Sequence, residues 1–335
     1  MTSKTVTTSI VVPCRNEEDT IESCVRSLME NKGPPVEIVV VDDGSTDGTT
    51  KIVERYAREN LVKHIRMSER KGTIAAINTG IKRASGEVVG VLAGDSRAEK
   101  DWIWTALQHF TKEPDVIAVG GPLLSLQPTY LGRCGELLDS LLLDIGAEIP
   151  SLPGTNMLIR SDILRRVGFF DESLGIGEDL DMSIRLKKYA KEHGGRIVFD
   201  AKLKVYTAYP ESIGEVVKRH FWWGMGRGRA VLRRGEALRL ATLGRILYAP
   251  LWVVLGLLFS AVISQTGMLL LGLGGLFVLV SLFPAVTIAT ALAKHVTEGT
   301  RGFKLSEVPG VFLLAYLRLV SGSIGSIWAF VRAGS

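Results

Sequence analysis

Three groups of acidic residues follow apolar stretches of the sequence, and their side chains are the ones best suited to chemistry. They lie in VVVDDGSTDGT, VVGVLAGDSR and GIGEDLD, and are Asp42 and Asp43, Asp95, and Glu178 and Asp179. A carboxylate accepts hydrogen bonds, binds a hard divalent cation, or removes a proton from a hydroxyl group. These acids are therefore the first candidates for substrate binding, metal binding and proton transfer.

The segments around these acids alternate between strand and helix. Apolar strands are predicted in TSIVVPC, VEIVVVDD and EVVGVL, and helices over residues 19–28, 49–60 and 74–84. Continuous Val/Ile strands that alternate with helices predict an α/β domain with a mostly parallel sheet covered on both faces. Ligands of such sheets bind beyond the carboxyl ends of the strands, so the polar residues that follow these strands should meet at one edge. No GxGxxG motif follows the first strand, which argues against a dinucleotide site.

The positive charge of the chain is concentrated towards its C-terminal end. The formal net charge is +5, and residues 241–335 contain six Lys/Arg and two Asp/Glu, which leaves +1 for residues 1–240. A domain with so little net charge lacks the basic footprint of nucleic-acid binding. We therefore expect no nucleic-acid partner.

Residues 241–335 are predicted to form a transmembrane domain of two to three helices. Residues 246–263 and 267–293 carry no charged side chain, and a third apolar stretch, residues 308–331, contains one, Arg318. Each stretch is long enough to cross a hydrocarbon core of about 30 Å, although the third can also lie in the interface. The link before the third stretch holds three Lys/Arg. The positive-inside rule then predicts a multi-pass protein of the cell membrane whose large N-terminal domain is cytoplasmic.

The segment that precedes these stretches, residues 211–240, is basic and aromatic. It contains KRHFWWGMGRGRAVLRRGEALR, with seven Lys/Arg and one Glu. Basic residues with tryptophans just before an apolar span are typical of helices that lie on an anionic lipid surface. We expect interface helices here that contact membrane lipids.

Five motifs follow one another along the first 235 residues: VVPCRNEEDTIESCVRSL, VVVDDGSTDGT, KGTIAAINTG, PGTNMLIRSDILRRVGFFDE and GIGEDLDMSIRL. Their order and spacing resemble those of family 2 glycosyltransferases. The resemblance implies a GT-A nucleotide-sugar domain, Rossmann-like with a mostly parallel sheet, over residues 1–210. The basic segment and the apolar stretches look like the membrane-bound branch, a shortened cellulose-synthase layout. From this likeness we expect an archaeal membrane mannosyltransferase of lipid-linked glycan assembly, as in N-glycan biosynthesis.

The resemblance also implies which residues hold the donor, a GDP-sugar or a UDP-sugar. Carboxylates suit this task because they only accept hydrogen bonds, and the base and ribose of a nucleotide donate them. Alternatively, Asp42 and Asp43 only cap the next helix and its turn. The residues expected to line the nucleotide and donor pocket are Pro13, Arg15, Glu17, Asp42, Asp43, Lys71, Asn78, Asp95, Arg97, Gly154, Thr155 and Asn156.

Asp95 is the residue expected to bind Mn²⁺ or Mg²⁺. Members of the family usually carry Asp-x-Asp here, and this chain has Ala93 in place of the first aspartate. The pyrophosphate and water would complete the coordination of the ion. Arg97 cannot ligate a cation because it stays protonated, but it can bind phosphate oxygens of the leaving group. The alternative is that Asp95 and Ser96 cap a helix that begins at Ala98 and that Arg97 is solvated.

Glu178 and Asp179 match the Glu-Asp pair of the family, and the resemblance makes Asp179 the general base. One carboxylate suffices for an inverting displacement, because a metal-bound diphosphate leaves readily. A sugar hydroxyl needs such a base, whereas a lipid phosphate is already ionised. The pair therefore favours a hydroxyl of a lipid-linked glycan over a polyprenyl phosphate as the acceptor. Alternatively, these acids only stabilise the N-terminus of a helix.

The acceptor is expected to meet the basic segment. Processive relatives carry Gln-x-x-Arg-Trp near this position, and this chain has Arg219-His-Phe-Trp222-Trp223. Trp223 matches and can stack on an acceptor sugar, whereas Trp222 replaces the arginine, which argues against a polymer-binding role. Arg219 or Arg227 can meet a phosphate of a polyprenyl or dolichyl lipid, or the segment only docks on the membrane. A processive polysaccharide synthase, a polyprenyl-phosphate glycosyltransferase and an inactive nucleotide-sugar-binding scaffold stay open as alternatives.

Overall fold

The computed structural model describes residues 6–127, 129–144, 151–234 and 305–333. Contacts within the chain divide it into two units, Met1–Gln127 with Ile149–Ala208 and Pro128–Glu148 with Tyr209–Ser335. The three-part division expected from the sequence, with boundaries at residues 210 and 240, stays a prediction.

The first unit is an α/β domain built on two sheets. Its strands are β1 (Thr8–Cys14), β2 (Glu37–Asp42), β3 (Lys63–Arg66), β4 (Val88–Val91), β5 (Arg97–Ala98), β6 (Val116–Gly120), β7 (Leu123–Ser125), β8 (Met157–Arg160), β9 (Arg196–Phe199) and β10 (Val205–Thr207). Its helices are α1 (Ile21–Met29), α2 (Thr49–Arg58), α3 (Thr73–Arg83), α4 (Trp102–Lys112), α6 (Ser161–Val167) and α7 (Glu178–His193). The three helices predicted near the N-terminus correspond to α1, α2 and α3.

The large sheet has the strand order β3-β2-β1-β4-β8-β6-β9, and a small sheet has the order β5-β10-β7. Strands β1 to β4 pair in parallel, and β6 pairs in parallel with β9, whereas β8 is antiparallel to β4 and β6. The predicted mostly parallel sheet is thus mixed at β8. The reason is that Met157, which begins β8, pairs with Gly120, which ends β6. Strand β8 thus begins at the same edge of the sheet at which β6 ends, and an antiparallel pair of this kind needs no crossover connection.

Apolar residues cover both faces of the large sheet. Along β1, Ile10 and Val12 enter one buried cluster while Val11 enters the other, and Val40 and Val39 of β2 divide in the same way. Successive side chains of a strand point to opposite faces, so an unbroken Val/Ile strand requires a core on each side. The Val/Ile runs of the sequence predicted this two-sided burial.

The second unit is helical where the structure describes it. It contains α5 (Tyr130–Asp144), α8 (Ile213–Arg234), a 3-10 turn (Leu305–Glu307) and α9 (Val308–Ala333). α8 packs on α9 at small residues, and the Ser326 hydroxyl donates to the Gly224 carbonyl at 2.8 Å.

Among the described residues, one helix, Val308–Ala329, is long and apolar enough to cross a membrane. The expected spans over residues 246–263 and 267–293 lie outside the described residues. A transmembrane domain of several helices therefore stays a prediction.

Candidate active site

The polar turns that follow β1, β2 and β4 lie side by side at one edge of the sheet. Cys14 pairs with Asp42 across the parallel strands, and the Asp43 amide donates to the Cys14 carbonyl at 2.9 Å. On the other side of β1, the Gly94 amide donates to the Pro13 carbonyl at 3.1 Å. The parallel register thus brings the acids after β2 and β4 to the two flanks of the turn after β1, as the strand pattern predicts.

A network of polar side chains joins the turn after β1 to the turn after β2. Asn16 has a left-handed backbone conformation, with φ of 56°, and its side-chain oxygen accepts a hydrogen bond from the Thr46 amide at 2.9 Å. The amide of Glu17 donates to the Thr49 hydroxyl at 2.7 Å. These bonds leave the Arg15 side chain exposed. Asn16 was not among the predicted site residues, although asparagine is one of the few side chains that tolerate this conformation.

Asp42 and Asp43 are both buried, and both accept hydrogen bonds from the protein itself. Asp42 accepts from the Ser45 amide at 2.8 Å and from the Thr50 hydroxyl at 2.6 Å. Asp43 accepts from the Lys71 amide at 2.7 Å and from the amide of the next residue at 2.9 Å. Asp42 thus fixes its own turn and α2, which is the capping role left open by the sequence. Asp43 fixes the loop before α3, and its oxygens keep further lone pairs for a ligand.

The side chain of Asn78 is committed to the fold. It is 3% exposed, and its amide nitrogen donates to the Phe170 carbonyl and to Glu172, each at 2.8 Å. Its oxygen accepts from the Phe170 amide at 3.0 Å. Both N–H groups are used in joining α3 to the loop after α6, so the predicted contact with the nucleotide stays a prediction that depends on the oxygen of this side chain.

Asn156 is likewise committed to the fold. It is fully buried, and its side-chain nitrogen donates to the Leu203 carbonyl at 2.7 Å and to the Pro122 carbonyl at 3.0 Å. Its side-chain oxygen accepts a hydrogen bond from the Trp102 indole at 2.8 Å. Asn156 thus fixes the start of β8, and its expected direct contact with the donor stays a prediction. Trp102 was not predicted as part of this region, because a buried tryptophan is ordinary in a core.

Asp95 lies on a tight turn after β4. An ideal side-chain carbon at Gly94 would lie 2.8 Å from the Cys14 side chain, so only glycine fits there. The half-buried carboxylate of Asp95 accepts a hydrogen bond from the Ser96 hydroxyl at 3.0 Å. No helix begins at Ala98, because residues 97–98 form β5. The expected alternative, in which Asp95 caps a helix at this point, is therefore wrong.

The charges around Asp95 suit a divalent cation. Burial, and after it the charges of Asp95 and Asp47, raise the pKa of Glu17, while a bond from Thr20 lowers it. The carboxylate of Asp95 is a hard oxygen ligand of the kind that such an ion prefers. No three His, Cys, Asp or Glu side chains form a metal-binding group among the residues described. A single carboxylate of this kind fits an ion that shares its coordination with a substrate.

Arg97 is exposed and tied to α1. Its Nε donates to the Ser23 hydroxyl at 3.0 Å, and the residue pairs with Tyr206 in the small sheet. Lys71 is exposed too, and its ammonium group lies 3.6 Å from Glu69. The structure thus places both cations on the surface of the first unit.

Glu178 and Asp179 begin α7 and lie next to Gly154. An ideal side-chain carbon at Gly154 would lie 3.4 Å from Cβ of Asp179 and 3.6 Å from Oε1 of Glu178. Gly154 and Thr155 precede β8, which pairs with β4, so the acid pair reaches the edge that carries Asp95. Oγ1 of Thr155 is buried and has no hydrogen-bond partner among the residues described, which makes it available to a ligand.

Burial, together with the negative charge of Asp179, raises the pKa of Glu178 to about 7. A carboxylate poised near neutral pH is well matched to proton transfer. The start of α7 is held by an ion pair that was not among the predicted site residues: Asp181, which is fully buried, and Arg185, at 2.8 Å. Their i,i+4 spacing was the available signal.

The predicted acceptor residues all lie on α8 in the second unit. Trp222 and Trp223 are 43% and 46% exposed, large values for tryptophan. The guanidinium of Arg219 lies 5.9 Å from the centre of the Trp223 ring. Arg227 is exposed, and one of its terminal nitrogens lies against Gly322 of α9.

Two family models match the chain. The model described as glycosyl transferase family 2 matches residues 9–168, and that of glycosyl transferase family group 2 matches residues 89–292, more than half of the chain. A poly-β-1,6-N-acetyl-D-glucosamine synthase of Staphylococcus epidermidis is 26% identical over 233 residues, which cover 67% of this chain and 55% of the relative. The chain thus spans about half the length of the curated relatives that it matches.

Solved structures share the fold. The mannosyltransferase PcManGT from Pyrobaculum calidifontis, solved in complex with GDP-Man and Mn²⁺, matches with a TM-score of 0.62 and 20% identity, over 97% of this chain and 88% of that one. GalNAc-T7, solved with UDP, GalNAc and Mn²⁺, matches with a TM-score of 0.50 and 16% identity, over 72% and 54% of the two chains. The likeness shows the GT-A-like α/β fold that the motifs implied.

Proposed function

Because this chain belongs to glycosyl transferase family 2, we propose that it transfers a sugar from a nucleoside diphosphate to a hydroxyl group, with inversion at the anomeric carbon. The observation that carries the proposal is the position of two kinds of carboxylate at one sheet edge. Asp95 follows β4, and the pair Glu178 and Asp179 lies against Gly154, just before the strand that pairs with β4. One position suits a cation and the other suits a base.

The turns after β1 and β2 would hold the nucleotide. Arg15 is exposed there, and Asp43 retains acceptor capacity while it fixes the backbone of the loop before α3. A turn braced in this way needs little reordering when a ligand binds. We assign Pro13, Arg15, Glu17 and Asp43 to the nucleotide pocket.

Asp95 would hold Mn²⁺ or Mg²⁺ as the main protein ligand, with the diphosphate and water completing the coordination. A divalent ion bound there would neutralise the negative charge that develops on the diphosphate as it leaves. Arg97 can add positive charge only if its exposed guanidinium turns towards the diphosphate while its Nε keeps the bond to Ser23. We therefore rank Asp95 above Arg97 for the leaving group.

Asp179 would take the proton of the acceptor hydroxyl, with Glu178 beside it. The hydroxyl oxygen forms its bond to the anomeric carbon on the face opposite the diphosphate, and the bond from that carbon to the diphosphate oxygen breaks. The adjacent charge of Glu178 makes the pair more basic than an isolated carboxylate, which suits a base that works near neutral pH. Thr155 offers a hydroxyl to the donor sugar beside this pair.

We propose mannose from GDP-mannose as the donor, with a UDP-sugar as the next choice. The support is the structural match to a mannosyltransferase solved with GDP-Man, which extends over 97% of this chain. At 20% identity that match concerns the fold, so the sugar is a proposal to be tested. The relative from Staphylococcus epidermidis supports N-acetylglucosamine as an alternative.

The acceptor proposed is a hydroxyl of a glycan on a polyprenyl or dolichyl carrier, reached at the cytoplasmic face of the membrane. The second unit supports membrane association because large apolar side chains of α8 and α9 are exposed. They are Ile213, Val217, Trp222, Trp223, Leu232, Leu313, Ile324 and Trp328. A basic helix with exposed tryptophans suits a lipid surface.

Donor turnover tests this function. Purified full-length protein in detergent is given GDP-mannose, UDP-glucose or UDP-N-acetylglucosamine, each with Mn²⁺ and with EDTA, and the released nucleotide is measured. We expect metal-dependent release from one donor and its loss in Asp179→Asn. Full release by Asp179→Asn would contradict the assignment of the base.

A processive polysaccharide synthase is the second candidate, favoured by the name of the Staphylococcus epidermidis relative. The two functions differ in product length. A single added sugar on the lipid-linked acceptor would support the first proposal, and a ladder of products on a gel would support the second.

A further inference from the structure

An arginine of α9 is largely covered and is paired with an aspartate of its own unit. Arg318 lies in the middle of the apolar helix, and its side chain is 16% exposed. One terminal nitrogen donates to Asp139 of α5 at 2.5 Å, and the Tyr209 hydroxyl donates to the other oxygen of Asp139 at 2.9 Å. Nε of Arg318 is buried and has no hydrogen-bond partner among the residues described. A donor of this kind in an apolar setting is costly unless a ligand or water meets it.

Glycines make room for this arginine and for a second one. An ideal side-chain carbon at Gly135 of α5 would lie 2.9 Å from a terminal nitrogen of Arg318. On α9, one turn from Arg318, a side chain at Gly322 would lie 2.9 Å from a terminal nitrogen of Arg227. Since residues four apart lie on the same face of a helix, the second arginine lies on the α9 face that carries the first.

His220 lies among these cations. It is 6% exposed, and its ring meets the Trp223 ring edge-on at 4.9 Å. Burial, and then the charges of Arg318, Arg227 and Arg219, lower the pKa of His220 to about 3. The histidine is therefore neutral at pH 7, and the positive charges of three guanidinium groups act on its ring.

We propose that Arg318, Arg227 and Arg219 form a binding site for the phosphate or diphosphate group of an isoprenoid lipid, the carrier of the acceptor. Guanidinium groups bind phosphate oxygens in pairs of parallel hydrogen bonds, and their strength grows where water is excluded. Asp139 and Tyr209 fix the first arginine in its orientation. The inference rests on the proposed function for its link to the acceptor, but the anion site itself stands on the geometry of the second unit.

The surroundings of this cluster favour a lipid over a free anion. α9 is the described helix that is apolar enough to enter a membrane, and Trp222 and Trp223 of α8 are exposed next to the arginines. An isoprenoid chain would find apolar surface on these helices, whereas inorganic diphosphate would gain only the charge contacts. We therefore expect the lipid to bind more tightly than the inorganic anion.

The test is a binding titration of the full-length protein in neutral detergent at constant ionic strength. The probes are farnesyl diphosphate, inorganic diphosphate and farnesol. The variants are Arg227→Gln and the pair Arg318→Gln with Asp139→Asn, which removes both charges together so that the carboxylate is not left without its cation. The matched control is Lys218→Gln, the loss of one exposed cation from the same helix.

We expect farnesyl diphosphate to bind most tightly, and Arg227→Gln to weaken it about tenfold, which is the loss of one charge-assisted contact. Lys218→Gln should leave the affinity within about twofold, because exposed charges are screened. Equal affinity in Arg227→Gln and the wild type would overturn the site. Equal affinity for farnesyl diphosphate and inorganic diphosphate would overturn the lipid assignment.

Donor turnover on the same preparations separates the two proposals. Lipid binding that depends on Arg227, without turnover of any donor, would support the site and overturn the proposed function. Donor turnover together with lipid binding that does not depend on Arg227 would overturn the site alone. Binding of GDP should be the same in Arg227→Gln and in the wild type, since the nucleotide belongs to the first unit.

Discussion

Replacing Glu178 by glutamine should make the protein more stable at alkaline pH. The carboxyl has a pKa of about 7, against an ordinary value of 4.5, because it is buried beside Asp179. At about 1.4 kcal/mol per tenfold change in the ionisation equilibrium, the difference between these two pKa values corresponds to at most about 3.5 kcal/mol. Because the pKa is raised in the folded state, this stability is fully present below pH 4.5 and is lost as the pH rises through 7.

The assay is thermal unfolding at pH 5 and at pH 8 in one detergent. Wild type should lose stability between the two, whereas Glu178→Gln should lose less, with a difference on the order of 5–10 °C at pH 8. The matched control is Glu192→Gln, which makes the same change at an exposed position on the same helix. If both variants shift equally, the burial of Glu178 is not the cause.

The same variant should change the pH dependence of transfer. The charge of Asp179 contributes to the raised pKa of Glu178, about 7, so the second ionisation of the pair falls near neutral pH. This ionisation changes the charge beside the proposed base, so transfer by the wild type should depend on pH between 6 and 8. Glutamine at position 178 removes the ionisation, and transfer by the variant should change little over the same range. The same pH profile between 6 and 8 in Glu178→Gln and in the wild type would refute the reasoning.

Three further predictions concern the first unit. Asp95→Asn should lose most of its donor turnover and should not recover it at millimolar Mn²⁺, measured by nucleotide release; unchanged metal dependence would contradict the role of Asp95. Asn156→Ala should lower the free energy of unfolding by about 2–3 kcal/mol, because three buried partners lose their bonds, while the KM for the donor stays within a few-fold. Burial raises the pKa of Glu37, but hydrogen bonds from Lys63, Ser9 and Ser85 outweigh this effect and lower the pKa to about 2. Glu37→Gln should therefore lower the free energy of unfolding by about 1–2 kcal/mol at pH 7 after solvent screening. This difference between variant and wild type, present above pH 4.5, should disappear in thermal unfolding as the pH falls towards 2.

The fold of the first unit could be predicted from local patterns, except where the chain reverses. Unbroken Val/Ile runs such as those of β1 and β2 indicate strands buried on both faces, and the acids after them indicate the active edge. The direction of β8 depends on where the chain returns after Gly120, and no periodicity reports that. The small sheet of β5, β7 and β10 was missed because its strands have only two or three residues.

The candidate site could be predicted as a set of positions, but not as a set of roles. Asn78 and Asn156 lie inside motifs that resemble the family, yet each uses its amide to join segments distant in sequence. The bond from Asn78 to Phe170 spans 92 residues. Long-range partners of this kind are invisible to a local pattern, because the same side chain can equally well face a ligand.

Some polar residues at this edge of the sheet use their hydrogen-bonding groups within the protein, whereas others keep groups that are available to a substrate. Asp42, Asn78 and Asn156 have their polar groups occupied by backbone and side-chain partners. Thr155 retains a buried hydroxyl without a described partner, and Glu178 keeps a raised pKa that lowers stability at neutral pH and above. Groups left unsatisfied or destabilised in this way persist where function requires them. By this criterion we propose that the chemistry takes place between the end of β4 and the start of α7, and that the turns after β1 and β2 hold the donor.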